Sequence, residues 1–125
     1  MMIHPTADVS SKAKTGEHIA VLNYSAVCPG AQIGDRVKIG AHCFIEGGVV
    51  IGDGCEIQSG SILRAGLTLE EDVYCGPGLI TSGKVLVKKE TVVPARVTLI
   101  GSEDDAPAME VSEDSALFTG AVVEE

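Results

Sequence analysis

Aliphatic side chains return at every sixth position from Ile3 to Leu99, in the series Ile3, Val9, Thr15, Val21, Val27, Ile33, Ile39, Ile45, Ile51, Ile57, Leu63, Leu69, Cys75, Thr81, Val87, Val93 and Leu99. Only Thr15, Cys75 and Thr81 are not aliphatic, and each is small enough to bury. A second series, four residues after each member of the first, is small or apolar almost throughout, from Ala7 and Ala13 through Val37, Cys43, Val49 and Cys55 to Val97. A period held this long marks a repeat architecture, and a six-residue unit predicts a parallel β-helix. Three hexads make one triangular coil, so residue n is expected to stack on residue n+18. That predicts ladders such as Ile33–Ile51–Leu69–Val87 and Ile39–Ile57–Cys75–Val93. Each edge of the triangle is then a short parallel strand, apolar toward the inside.

The turn residues fall in the same phase. Pro29-Gly30 and Pro77-Gly78 fill the third and fourth places of their hexads. Pro presets φ there and Gly accepts a positive φ, as a type II turn requires. Gly48, Gly54, Gly60 and Gly66 also take the fourth place. The phase runs unbroken to Leu99, is interrupted at Asp105 beside Pro107, and resumes at Val111, Leu117 and Val123. The expected organisation is an all-β protein: a β-helix over residues 1–100, then an acidic segment over 101–125. That segment is either a degenerate last coil or a cap over the open end, which a solenoid needs to blunt its exposed strand edge.

Composition narrows the possibilities. The 125 residues fit one domain. Two Tyr, two Phe and no Trp suit a narrow prism lined by β-branched side chains, which has no room for large rings. Cys28, Cys43, Cys55 and Cys75 show no metal-type or disulfide-scaffold spacing, and three of them fall on the core series. They read as small hydrophobes in a reducing compartment. With no long apolar run and no basic-then-apolar leader, a cytoplasmic protein without a membrane partner is expected. The net charge of −9 is uneven: residues 1–100 carry ten acids and nine bases, and residues 101–125 carry eight acids and no base. A nearly neutral body and an acidic tail argue against a nucleic-acid partner. His4, His18 and His42 occupy different columns with no close spacing, so no metal is expected.

Three stretches resemble the left-handed β-helix acyltransferases built on hexapeptide repeats: Val27-Cys28-Pro29-Gly30-Ala31-Gln32-Ile33-Gly34-Asp35-Arg36, Val49-Val50-Ile51-Gly52-Asp53, and the run from Leu67 to Pro77. The nearest likeness is to the nucleotide-sugar N-acetyltransferases, whose start is similar to Ile3-His4-Pro5-Thr6-Ala7. The resemblance covers residues 3 to about 100. It implies a left-handed, single-stranded β-helix, a homotrimer, and acetyl-CoA lying in a groove between adjacent subunits. The acceptor it implies is a sugar or nucleotide sugar. Carried onto this sequence, it makes the outward His42 the candidate general base, since an imidazole suits proton removal from an attacking amine or hydroxyl. Gln58 and Ser59 take the acceptor-binding position, and Arg64 is placed to reach a phosphate. Lys84, Lys88 and Lys89 form the basic cluster available to the phosphates of CoA, with Lys84 and Lys88 as cofactor-binding candidates. The chain departs from the family where paired asparagines are replaced by Ser59 and Gly60, where Asn23 stands in place of a histidine, and where a loop between Pro77 and Lys84 is absent. Extra C-terminal coils are also missing. These departures leave a second expectation open, a non-catalytic trimeric β-helix serving as scaffold or partner subunit.

Overall fold

The computed structural model describes residues 1–103 and 105–125; Asp104 of the acidic run lies outside the described residues. The backbone winds through three parallel sheets that form the sides of a prism. Sheet A stacks Met2–Ile3, Ala20–Val21, Lys38–Ile39, Glu56–Ile57, Tyr74–Cys75 and Val92–Val93. Sheet B stacks Asp8–Val9, Ala26–Val27, Phe44–Ile45, Ile62–Leu63, Ile80–Ser82, Thr98–Ile100 and Val122–Glu124. Sheet C stacks Lys14–Thr15, Gln32–Ile33, Val50–Ile51, Leu67–Leu69, Val85–Val87 and Met109–Val111. Registers such as Ile33↔Ile51, Leu69↔Val87, Ile39↔Ile57 and Cys75↔Val93 carry the ladders expected from the repeat. Among the described residues there is no helix long and apolar enough to cross a membrane.

Both apolar series point inward, and from Ile19 onward nearly every member is buried. The first coil differs, because it has a neighbour on one side only. Ile3 remains 37% exposed and Thr15 is exposed, although both belong to the core series. All four aromatic side chains lie outside the prism: Tyr24, Phe44, Tyr74 and Phe118 are exposed. The interior accepts rungs of Val, Ile and Leu, close-packed as parallel sheets require.

The corners are one turn repeated. Gly30, Gly48, Gly54, Gly60, Gly66 and Gly78 have positive φ, and so do His18, Tyr24, Arg36, His42, Asp72, Glu90 and Arg96 in the same place of their hexads. Left-handed backbone costs a non-glycine residue on the order of 1 kcal/mol. From Arg36 onward, each such corner offsets this with a backbone hydrogen bond to the preceding coil. Arg36 N–H donates to Glu17 O (2.8 Å), His42 N–H to Asn23 O (2.9 Å), and Arg96 N–H to Pro77 O (2.7 Å).

The last coil keeps the sheets but changes the step. Val85 pairs with Met109 and Thr98 with Val122, an offset of 24 residues where the body of the helix uses 18. The extra length is looped out after Ile100 and pinned by an antiparallel bridge between Lys84 and Ser102. Because the extra length equals one hexad, Val111, Leu117 and Val123 stay in phase with the earlier series. The strands Met109–Val111 and Val122–Glu124 continue sheets C and B, and Met109 and Val111 join the buried core.

Candidate active site

The corner between sheets A and B gathers three of the candidate residues. His42 stands there at φ 56° with its side chain outside the prism. Its ring stacks on Tyr24 of the preceding coil, with centroids 5.2 Å apart and planes 28° from parallel. Tyr24 is itself held in place: its N–H donates to Thr6 Oγ1 at 3.0 Å. One coil on, Gln58 and Ser59 flank the same corner. Ser59 Oγ accepts a hydrogen bond from Ala41 N–H at 3.2 Å, which fixes the backbone next to His42.

Small polar residues brace this corner from within. Buried Ser25 donates from Oγ to Gly40 O (2.6 Å) and accepts from Cys43 N–H (2.9 Å). Buried Ser61 donates from Oγ to Gln58 O (3.0 Å) and accepts from Leu79 N–H (3.2 Å). The Cys43 thiol also reaches Gln58 O, at 3.3 Å. Burial pushes that thiol's pKa up, against hydrogen bonds that lower it, so Cys43 is held as a neutral donor. A satisfied internal network of this kind rigidifies the wall it supports. The six-residue count marks Ser25 and Ser61 as core positions; that they serve as props emerges only once the coils stack.

Next to Gln58, the outer face of sheet A carries a mainly apolar cavity of about 310 Å³ bordered by Leu22, Lys38, Gly40 and Glu56. The Lys38–Glu56 ion pair (3.7 Å) closes one side of it. A larger space of about 810 Å³ lies elsewhere, between Ser82-Gly83 and the loop through Gly101, Ser102 and Glu103. It borders none of His42, Gln58 and Ser59. Its wall residue Ser102 keeps a buried hydroxyl that has no hydrogen-bond partner among the described residues.

The other candidates lie across sheet B from His42. Arg64 follows the Ile62–Leu63 strand toward the corner between sheets B and C. There its guanidinium pairs with Glu46 at 3.5 Å and its backbone N–H donates to Thr81 Oγ1 at 3.2 Å. Lys84 occupies that same corner, where its backbone N–H donates to Ser102 O at 2.9 Å. Lys88 follows the Val85–Val87 strand toward the corner between sheets C and A, where it pairs with Glu70 at 4.0 Å. A single chain therefore presents two separate groups: His42, Gln58 and Ser59 on one edge of sheet B, and Arg64 and Lys84 on the opposite edge. Among the described residues no group of three or more His, Cys, Asp or Glu side chains is arranged to hold a metal ion.

Comparison with known proteins gives this geometry a context. Residues 30–65 match the family model for the bacterial transferase hexapeptide, six repeats. No curated protein matches the sequence significantly. Among solved structures, PerB from Caulobacter crescentus in complex with CoA and GDP-perosamine is 26% identical over 92% of this chain and 51% of its own length, with a TM-score of 0.77. A point mutant of perosamine N-acetyltransferase from the same organism, also in complex with CoA and GDP-perosamine, is 28% identical over 85% of this chain and 53% of its own, with a TM-score of 0.57. The acetyltransferase domain of PglB from Neisseria gonorrhoeae, in complex with acetyl coenzyme A, shares the fold at 18% identity and a TM-score of 0.56, over 96% of this chain and 52% of its own. The chain thus spans about half the length of these structures. It is a left-handed β-helix of hexapeptide repeats, and it is similar in sequence and fold to the PerB and perosamine N-acetyltransferase structures.

Proposed function

We propose that this chain is the β-helical part of an acyl-CoA-dependent acetyltransferase that modifies an amino or hydroxyl group of a sugar or nucleotide-sugar acceptor. The observation that carries this reading is the braced corner at His42, Gln58 and Ser59 on a fold whose solved relatives are complexes with CoA and a nucleotide sugar. In the reaction, His42 takes a proton from the acceptor as its amine or hydroxyl attacks the thioester carbonyl. The C–S bond then breaks, and the departing thiolate of CoA recovers the proton from the imidazolium. Gln58 and Ser59 hydrogen-bond the sugar and hold it at attack distance.

The active unit is a homotrimer. Sheet B carries the most apolar outer face, with Ala26, Phe44, Ile62 and Ile80 aligned on successive strands; Phe44 and Ile80 are 38% and 42% exposed. If three copies turn this face toward a shared three-fold axis, the His42 edge of one copy adjoins the Arg64–Lys84 edge of the next. Cyclic closure then brings together the two groups that one chain holds apart. Arg64 and Lys84 of the neighbouring copy become the basic wall for the phosphates of acetyl-CoA, whereas Lys88 lies at the far corner of sheet C, paired with Glu70.

The test is binding and transfer on the intact protein. Millimolar acetyl-CoA should raise the melting temperature, since a ligand that binds only the folded state stabilises it. Purified protein should release free CoA thiol in the presence of amino-sugar acceptors. His42→Asn, which tolerates the left-handed backbone, should lower the transfer rate by roughly a hundredfold or more and leave the acetyl-CoA shift in place. A trimer that neither shifts with acetyl-CoA nor releases thiol is the scaffold, not the enzyme.

A further inference from the structure

The hexad inserted after Ile100 builds a cavity that the transferase reading leaves unused. Its loop is tied down by its own backbone. Lys84 and Ser102 exchange N–H···O bonds of 2.9 and 3.2 Å, and Ala106 N–H donates to Glu103 O at 3.0 Å, closing a turn. Between this loop and Ser82-Gly83 of the preceding coil lies the space of about 810 Å³, with Ser102, Glu103 and Asp105 in its wall.

Three features of that wall suit the same kind of ligand. Ser102 is 4% exposed, and its hydroxyl has no hydrogen-bond partner among the described residues. The other buried hydroxyls each have one: Ser25, Ser61 and Thr91 donate to Gly40 O, Gln58 O and Lys88 O, and Thr81 accepts from Arg64 N–H. A buried polar group without a partner in the chain is completed by a bound water or ion. Glu103 and Asp105 join none of the ion pairs among the described residues, and none of the described residues lining the cavity is a lysine or arginine. Gly83, at φ 73°, lets a carbonyl approach closely: a Cβ there would stand 2.8 Å from Gly101 O.

The polar groups of this wall are hard oxygens, and two of them are anionic. Such a set suits Mg²⁺, Ca²⁺ or Mn²⁺ rather than the softer transition metals. Two carboxylates in so large a space cannot strip an ion of its water. That favours a cation which keeps part of its hydration shell, as Mg²⁺ does.

We infer that the loop after Ile100 binds a hydrated divalent cation of the magnesium class, with Glu103 and Asp105 as its carboxylate ligands and the Ser102 hydroxyl bonded to its water. The ion ties the inserted hexad to the coil before it. The site contains none of His42, Gln58, Ser59 and Arg64, so it stands whether or not the chain transfers an acyl group.

Mn²⁺ is the probe, because the paramagnetic resonance signal of the free ion fades as it binds. Titration of the intact wild-type protein should show one site with a dissociation constant on the order of 0.1 mM, from which Mg²⁺ displaces Mn²⁺. Asp105→Asn and Glu103→Gln keep the shape and remove a charge, and each should weaken binding about tenfold or more. Ser102→Ala should weaken it by about tenfold, as loss of a second partner to a bound ion does. In chelator the same variant should melt with wild type, since the hydroxyl has no bond in the chain to lose. Glu113→Gln with Asp114→Asn removes two exposed acids from the last coil, away from the cavity, and should bind Mn²⁺ as wild type does. The inference is overturned if wild type has no site tighter than about 1 mM, or if Asp105→Asn or Ser102→Ala binds as well as wild type. It is equally overturned if the Glu113/Asp114 variant loses as much as Asp105→Asn, for then the ion answers only to net charge. A lower melting temperature of Ser102→Ala in chelator also sinks it, because the hydroxyl would already be paired within the protein.

Discussion

Two edges of the prism use the same turn and end up chemically opposite. Along the edge between sheets C and A, the corner residues are His18, Arg36, Gly54, Asp72 and Glu90; along the edge between A and B they are Tyr24, His42, Gly60, Gly78, Arg96 and, after the longer last step, Gly120. The backbone bonds match: Gly54 N–H donates to Asp35 O and Gly60 N–H to Ala41 O, both at 2.9 Å. The side chains do not match. On the C–A edge, Asp35 Oδ1 accepts from Glu17 N–H and Asp53 Oδ1 from Asp35 N–H, each at 2.8 Å, while Glu70 Oε1 accepts from Lys89 N–H at 2.9 Å. The Asp72 carboxylate fills the space over Gly54. That edge spends its polar groups on its own backbone. On the A–B edge the space over Gly60 is empty, two rings stack, and the exposed Arg96 joins none of the ion pairs among the described residues. Identical turns thus become a seam on one edge and an opening on the other.

Changes to the seam should show first in stability. Asp53→Ala leaves the Asp35 N–H without its carboxylate partner. A charge-assisted bond to a backbone N–H contributes about 1.5–3 kcal/mol when shielded, and partial exposure of this corner reduces that to about 1 kcal/mol. Asp35→Ala should cost about as much. For a chain of this size each change lowers the melting temperature by roughly 4 °C, read by circular dichroism, with sugar binding unaffected. If both variants melt with wild type, the seam has no energetic content and the contrast between the edges is only one of appearance.

A matched pair then separates the edges directly. Asn accepts positive φ at low cost, so Gly54→Asn and Gly60→Asn make the same chemical change in the same turn. At Gly54 the new side chain must displace the Asp72 carboxylate, and a loss of about 1 kcal/mol is expected. At Gly60 it enters open space, and stability should stay within about 0.5 kcal/mol of wild type. The functional outcomes are reversed: Gly60→Asn crowds the corner beside Ser59 and should slow transfer to amino-sugar acceptors, while Gly54→Asn should leave it untouched. Equal behaviour of the two variants in both measurements would dissolve the distinction.

The repeat was readable because one phase governs core and turn alike. The rungs from Val21 to Leu99 follow directly from aliphatic residues six apart, and the step of 18 follows from three sides to a coil. Less was readable where the count of six carries no signal. An inserted hexad after Ile100 leaves that count intact, so the change of step to 24 shows only as the break at Asp105. The left-handed corners at Tyr24, His42 and Arg96 carry none of the glycine that announces such a turn. The opening on the A–B edge was hidden for a related reason. Gly60 and Gly78 read as turn residues, and only stacking 18 apart turns two turn glycines, an arginine and a histidine into one column. His42, Gln58 and Ser59 come together at one edge as neighbours in that stack. Arg64 and Lys84 are equally visible in the sequence, yet the count of six places them one side of the triangle away.

The smallest expected effect probes the interior behind each edge. Cys43 lies just inside the A–B corner, bonded to Gln58 O, and Cys55 lies just inside the C–A corner, bonded to Glu70 O at 3.0 Å. Burial raises the pKa of both thiols. For Cys55 the carboxylates of Asp72 and Asp53 add to it, and its pKa moves from 9.0 up to about 11. Cys75, deeper in the same core, is raised further by burial. Since only thiolate reacts, alkylation of the native protein at pH 8 should modify half-buried Cys28 first, then Cys43, with Cys55 slower and Cys75 last; mass spectrometry of timed quenches gives the order. The sign for stability follows from the same shifts. The folded state keeps these thiols protonated where the unfolded chain has lost its protons, so their contribution is intact below about pH 9 and declines as pH rises through the folded pKa, toward 11 for Cys55. Asp53→Ala removes one of the two carboxylates that raise Cys55 and loosens the corner above it, so it should speed Cys55 labelling while leaving Cys43 at its wild-type rate. If Cys43 accelerates instead, the seam supports the opposite edge as well, and the prism responds as one body rather than edge by edge.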